Sequence, residues 1–219
     1  LLKAAAPYVA TVENAFFRGV QMRVAYARDN EALVEALDFL CAGAAEPRLV
    51  ESVVMLRDSC AAQAAQNLLK NHEMLGTQID DACEQLRGAE RRLARLPIER
   101  LRRRDLRRGA RKTWKHCVAG YLELKPDSAP VSYHAWRRQV KYAHNQTRLL
   151  AAIRPLDMEA PLRELAATLG HCHDLELLEV LLRQQPDALR IDTHVQRLRH
   201  LIRESLQKLR GRSLEIGRS

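Results

Sequence analysis

Between Tyr133 and Leu150 the chain reads YHAWRRQVKYAHNQTRLL, a stretch holding histidines and fixed cations but no carboxylate. On a helix turning about 100° per residue, His134, Arg137, Arg138, Lys141, Asn145 and Arg148 fall within roughly 100° of arc. Trp136, Ala143 and Leu150 face the other way. Like charges three or four residues apart repel by about a few tenths of a kcal/mol per pair. A solvated face would interleave Glu at such spacings, yet no Glu occurs between Tyr133 and Pro155. Arginine offers planar paired donors to phosphate oxygens and lysine adds a mobile point charge, so the pattern suits a phosphate-rich ligand. His134 is expected in the first turn of this helix, beside the anion-favouring N-terminus. His144 lies at the edge of the stripe.

The preceding segment, RRRDLRRGARKTWKHCVAGYLEL, repeats the theme. Arg104, Arg107, Arg108, Arg111 and Lys115 share an arc of about 100°, interrupted by Asp105 alone. Leu106, Ala110, Cys117, Tyr121 and Leu124 fill the adjoining apolar arc. Two consecutive antiparallel helices with such stripes can enclose a groove whose field exceeds that of either stripe.

Other chemistries find less support. His171 and His173 in HCHD are two residues apart and cannot face one ion from a regular helix. With no third ligand at suitable spacing, no metal site is expected. This stretch is read instead as a helix end or bend, with Asp174 capping or charge-pairing with the next helix. The phosphate-binding, dinucleotide, zinc-protease and CxxC motifs are missing from the sequence, and Ser132 near His134 lacks a nucleophile-elbow context. The expectation is binding without turnover and without a cofactor.

The totals agree with a polyanion binder. A net charge of +9 over 219 residues favours nucleic acid, an anionic membrane or polyphosphate, without choosing among them. The chain shows no run of apolar residues long enough to span a membrane. Cys41, Cys60, Cys83, Cys117 and Cys172 are odd in number and scattered, as expected of reduced cytosolic thiols.

The elements that must position these residues read as helices throughout. Apolar residues recur at three- and four-residue spacing, and alternating strand-like runs are missing from the sequence. Breaks are expected at CAGAAEP (41–47), LGTQ (75–78), LP (96–97), KPDSAP (125–130), RPLDMEAP (154–161) and QQPDAL (184–189). They leave roughly seven helices, the first over residues 4–42 with a bend near Ala27 to Asn30, joined by short connections that favour antiparallel bundles. LLKAAAP at 1–7 also echoes LLAAIRP at 149–155, and RDNEALVEAL from Arg28 echoes HDLELLEVLL from His173. Residues 1–42 and 149–182 thus read as divergent copies of one unit. A basic helix precedes the second copy, so the first is expected to have lost one upstream.

The segment from Tyr133 resembles the signature helix of the CHAD family, the conserved-histidine α-helical domain. Its His, Arg at i+3 and Lys at i+7 are matched by His134, Arg137 and Lys141, while His144 and Asn145 stand where Arg-Tyr is common. LGHCHDLELL (169–178) is similar to the family's LGxxxD segment. ENAFFRGVQMRVAYARDNEAL (13–33) is similar to its other repeat, with Arg18, Arg23, Arg28 and Asp29 in place. The resemblance runs from about residue 1 to 183. It implies one all-α domain over 1–219 of two pseudo-symmetric antiparallel four-helix bundles, here halves 1–97 and 98–219, the first lacking its N-terminal helix. It also implies binding of inorganic polyphosphate, or of phosphate and sulfate anions, in a basic cavity, with a cytoplasmic location extending to polyphosphate granules.

Two readings compete with it. An RNA- or DNA-binding helical protein would add stacking aromatics, for which only Trp114 and Tyr142 stand among the cations, and both suit a core. A phosphoanhydride-hydrolysing enzyme, or an accessory module of one, would need acidic metal ligands facing the cations.

Overall fold

In the computed structural model the described residues are 7–43, 46–70, 72–96, 102–151, 157–184 and 192–218. They form seven helices: α1 (Pro7–Gly43), α2 (Pro47–Lys70), α3 (His72–Ala94), α4 (Arg103–Leu122), α5 (Pro130–Ala151), α6 (Glu159–Gln184) and α7 (Asp192–Arg218). No strand occurs among the described residues, so the all-α class holds. Proline punctuates the starts. Pro7, Pro47 and Pro130 each open a helix, and Pro161 stands third in α6. There the missing N–H would be unsatisfied anyway and the fixed φ is already helical.

Two expected boundaries are corrected. LGTQ does not break the chain; α3 runs through it, and α2 ends earlier, at Lys70. One helical glycine costs only about 1 kcal/mol, and the Thr77 hydroxyl donates to the Glu73 carbonyl at 3.0 Å across this turn. HCHD likewise does not end or bend a helix, because α6 continues through it to Gln184. Leu169, Cys172, Leu175 and Leu178 are all buried, so one apolar seam passes straight through the histidines. The residues 27–30, where a bend was expected, lie within the helical span of α1.

The chain divides into two compact units. The first comprises the described parts of Leu1–Glu31 and Cys60–Arg111, the second those of Ala32–Ser59 and Lys112–Ser219. In the first unit Glu13 is buried and accepts from Arg92 Nε at 2.8 Å and Nη2 at 3.0 Å. The same guanidinium lies 4.7 Å over the Phe16 ring.

In the second unit α6 is flanked by α5 and α7. Tyr133, Trp136, Val140 and Ala143 form the buried face of α5 and join Cys117, Leu162, Leu165, Leu169 and Ile216 in one cluster. Trp136 is its anchor: 1% exposed, with Nε1 donating to the Cys117 carbonyl at 3.1 Å. Its neighbours must be small. A Cβ on Gly217 would sit 2.8 Å from Tyr121 Cδ2 and 3.2 Å from Trp136 Cη2. No helix among the described residues is long and apolar enough to cross a membrane.

Candidate functional site

The core of α5 fixes where its cations go. With Tyr133, Trp136, Val140 and Ala143 facing inward, His134 and Arg137 come out half-buried at one edge, and Arg138, Lys141 and Arg148 are exposed. The helix opens at Pro130, so His134 lies a full turn inside it rather than in the first turn. Its imidazole therefore acts without the orphan N–H groups of the helix start.

The stripe meets α6. The His134 and His173 rings pack edge to face with centroids 4.3 Å apart. His173 shares its side of α6 with Glu176, one turn on, which accepts from Arg210 Nη2 of α7 at 2.8 Å. That guanidinium also stacks 4.7 Å over the Tyr133 ring. Arg137 and Arg210 both act on the buried Cys172 thiol, although burial dominates and pushes it up to about 12. His171 points elsewhere and stacks on Phe39 at 4.9 Å, as its two-residue offset from His173 requires.

Farther along α5, His144 is half-buried and its enclosed Nε2 has no hydrogen-bond partner among the described residues. Burial first, and then the Arg148 charge, hold its imidazole below the ordinary histidine range. It contributes shape and no fixed charge near neutrality.

The second predicted stripe behaves differently. Arg104, Arg107, Arg108 and Arg111 are exposed and belong to the first unit, as does exposed Arg18. Lys115 belongs to the second unit. There α4 meets α5 through Thr113, whose hydroxyl accepts from Gln146 Nε2 at 2.8 Å, and through the Cys117 carbonyl. Lys115 is roughly 160° round the helix from Cys117 and turns away from α5. Of the α5 stripe, His134 and Arg137 are thus half-buried and Arg138, Lys141 and Arg148 exposed, and Lys115 does not join them. The side chains of Arg23 and Arg28 lie outside the described residues.

Ion pairing is uneven over the cations of the surface. Arg57, Arg183, Arg197, Arg210 and Arg212 each meet a carboxylate in the second unit. Arg138, Arg148 and Lys115 make no ion pair with a described residue, and neither do Arg18, Arg104, Arg107, Arg108 or Arg111 of the first unit. Positive charge without local neutralisation is what an anionic ligand would find. Trp114 and Tyr142, expected to suit a core, are 40% and 44% exposed. Trp114 borders an apolar cavity of about 510 Å³ with Cys117, Tyr121, Trp136, Met158 and Leu162, whose lining does not suit phosphate.

Sequence reasoning did not find Glu176 and Arg210, and it dismissed His173. The available signal was the three-residue spacing of His173 and Glu176, which puts both on one face of a helix.

Comparison with known proteins gives one match. The family model described as CHAD domain matches residues 2–183. No curated protein and no solved structure matches the chain.

Proposed function

Because the chain belongs to the CHAD family, we propose that it binds inorganic polyphosphate without turning it over, through the carboxylate-free cationic stripe of α5. The observation that carries this reading is the row of cations on one face of α5, where Arg138 and Arg148 pair with no described carboxylate, whereas Arg57, Arg183, Arg197, Arg203, Arg210 and Arg212 of the second unit each meet one. His134, Arg137, Arg138, Lys141 and Arg148 form the leading contact set. Arg18, Arg23, Arg28, Arg104, Arg107, Arg108, Arg111 and Lys115 are further candidate phosphate contacts. In this reading the seven helices follow a pseudo-symmetric two-bundle arrangement, and the protein works in the cytoplasm at polyphosphate granules.

Polyphosphate carries about one charge per phosphate, so binding releases counterions and affinity falls steeply with salt, as for other polyanions. Long-chain polyphosphate, single-stranded RNA, duplex DNA and heparin compete at one ionic strength in the test. Polyphosphate is expected to win per unit charge, and equal competition by all four would reduce the site to a generic cationic surface. RNA is the second reading, favoured by the partial exposure of Trp114 and Tyr142. Preferential RNA binding lost in Tyr142→Ala would establish it.

A further inference from the structure

We propose that the apolar cavity where α4, α6 and α7 meet over Trp136 binds a small, uncharged aromatic molecule. The cavity measures about 510 Å³, within the range of about 300–1,000 Å³ typical of small-molecule sites. Every described residue of its lining belongs to the second unit. Buried Trp136 supplies the floor, and Tyr121 tilts against it with ring centroids 5.8 Å apart. Leu162, Leu165 and Ile216, all buried, complete the inner wall.

The opening is apolar too. Trp114, Val118 and Leu122 follow one another at four-residue spacing along one side of α4, and Met158 stands just ahead of α6. These four line the cavity, yet they are 40%, 38%, 73% and 42% exposed. A lone exposed apolar side chain is ordinary, but four around one opening form a patch of the kind that marks a binding site. A ring system entering between them covers apolar surface that the fold itself leaves wet.

The chemistry of the occupant follows from the lining. Trp136 Nε1 is already committed to the Cys117 carbonyl at 3.1 Å. Burial pushes the Cys117 thiol up to about 11, so it carries no charge near neutrality. Among the described lining residues the charges are Asp157 and Arg218, both exposed and opposite in sign. Arg218 disfavours a cation and Asp157 an anion, which leaves an uncharged body as the best fit. Three rings, Trp114, Tyr121 and Trp136, favour a flat aromatic over an aliphatic chain, because rings meet rings in offset or edge-to-face contacts. The inference stands whether or not the α5 stripe holds polyphosphate.

N-Phenyl-1-naphthylamine, an uncharged dye that brightens on burial, is titrated into the full chain. Both tryptophans of the sequence, Trp114 and Trp136, line the cavity, so energy transfer from them to the dye is expected to saturate at one dye per chain. Binding should persist at high salt, which separates it from the cationic stripe. Val118→Gln combined with Met158→Gln, at two exposed rim positions, should weaken it roughly tenfold or more. Met22→Gln combined with Met55→Gln, exposed methionines outside the lining, should leave it unchanged. Contacts from the dye to Trp136 and Tyr121 ring protons, read by NMR in the unsubstituted chain, locate the site without relying on any variant. No saturable binding, equal loss in the two double variants, or dye contacts confined to other residues overturns the proposal. So does self-association of the dye-free chain that the Val118→Gln, Met158→Gln variant abolishes, because a second copy would then fill the cavity.

Discussion

Replacing Arg137, Arg138 and Lys141 together by Gln perturbs the α5 stripe with least risk to the fold. Arg138 and Lys141 are exposed and Arg137 is half-buried, while the inward face of α5 belongs to Tyr133, Trp136, Val140 and Ala143. A cation near a polyanionic surface contributes about 1 kcal/mol at physiological salt. Losing three removes about 3 kcal/mol, or roughly a hundredfold in Kd. The salt dependence gives an independent number. At about 0.7–0.9 per neutralised phosphate, the slope of log K against log salt should become shallower by roughly 2–3 units. Labelled long-chain polyphosphate titrated by anisotropy at several salt concentrations reads both quantities, with circular dichroism as the check on helicity. The comparison protein carries Lys70→Gln, Arg87→Gln and Arg91→Gln, three exposed positions in the first unit with the same change in net charge. Equal losses in the two triple variants would show that net charge, and not the α5 stripe, holds the ligand, and the reasoning would fail.

Two further outcomes follow from the packing. Gly217→Ala puts a methyl 2.8 Å from Tyr121 Cδ2 and 2.9 Å from Cε2, beside Trp136; overpacking of this kind costs about 1–3 kcal/mol, read as a lower thermal midpoint, and an unchanged midpoint would mean the α7 end does not close on the ring pair. Glu13→Gln tests the first unit through pH. Hydrogen bonds from Arg92 hold the Glu13 carboxyl below its ordinary 4.5, so the native state favours the ionised form and the pair's contribution is fully present above that value. It is lost as pH falls through the lower folded value, so the stability gap between wild type and Glu13→Gln should be open at pH 7 and close in acid. A gap that widened in acid would contradict the pairing.

The helices were legible because their period and their prolines agree. Pro7, Pro47 and Pro130 open helices where the sequence shows breaks or starts. Glycine misled at 75–78, since its roughly 1 kcal/mol penalty is small against the favourable terms of a helix of 23 residues. HCHD misled for the opposite reason. Its polar look hides a buried Cys172 between histidines that leave α6 on different sides, one to Phe39 and one to His134. The shared arc of the α5 cations could be read from spacing alone. The partners that complete the site could not, because Glu176 and Arg210 are 34 residues apart and each looks like an ordinary surface charge until α6 and α7 pack. Arg210 also lies beyond the segment that the family model matches.

Why α5 tolerates its stripe is a question of magnitudes. His134, Arg137, Arg138 and Lys141 make several like-charge neighbours at three- and four-residue spacing, each costing about 0.2–0.5 kcal/mol when both are charged, or roughly 1–2 kcal/mol together. The opposite face buries Trp136, Tyr133 and Val140 to 1%, 2% and 0% exposure, at roughly 1.5–3 kcal/mol for each large apolar side chain. Burial wins by several kcal/mol, so tertiary packing, and not helix propensity, holds the cations in one row. The same balance explains why the acids are missing from the stripe. A helix that is already secured by its core has no need of i to i+4 ion pairs, and leaving them out keeps the positive face available for an anion.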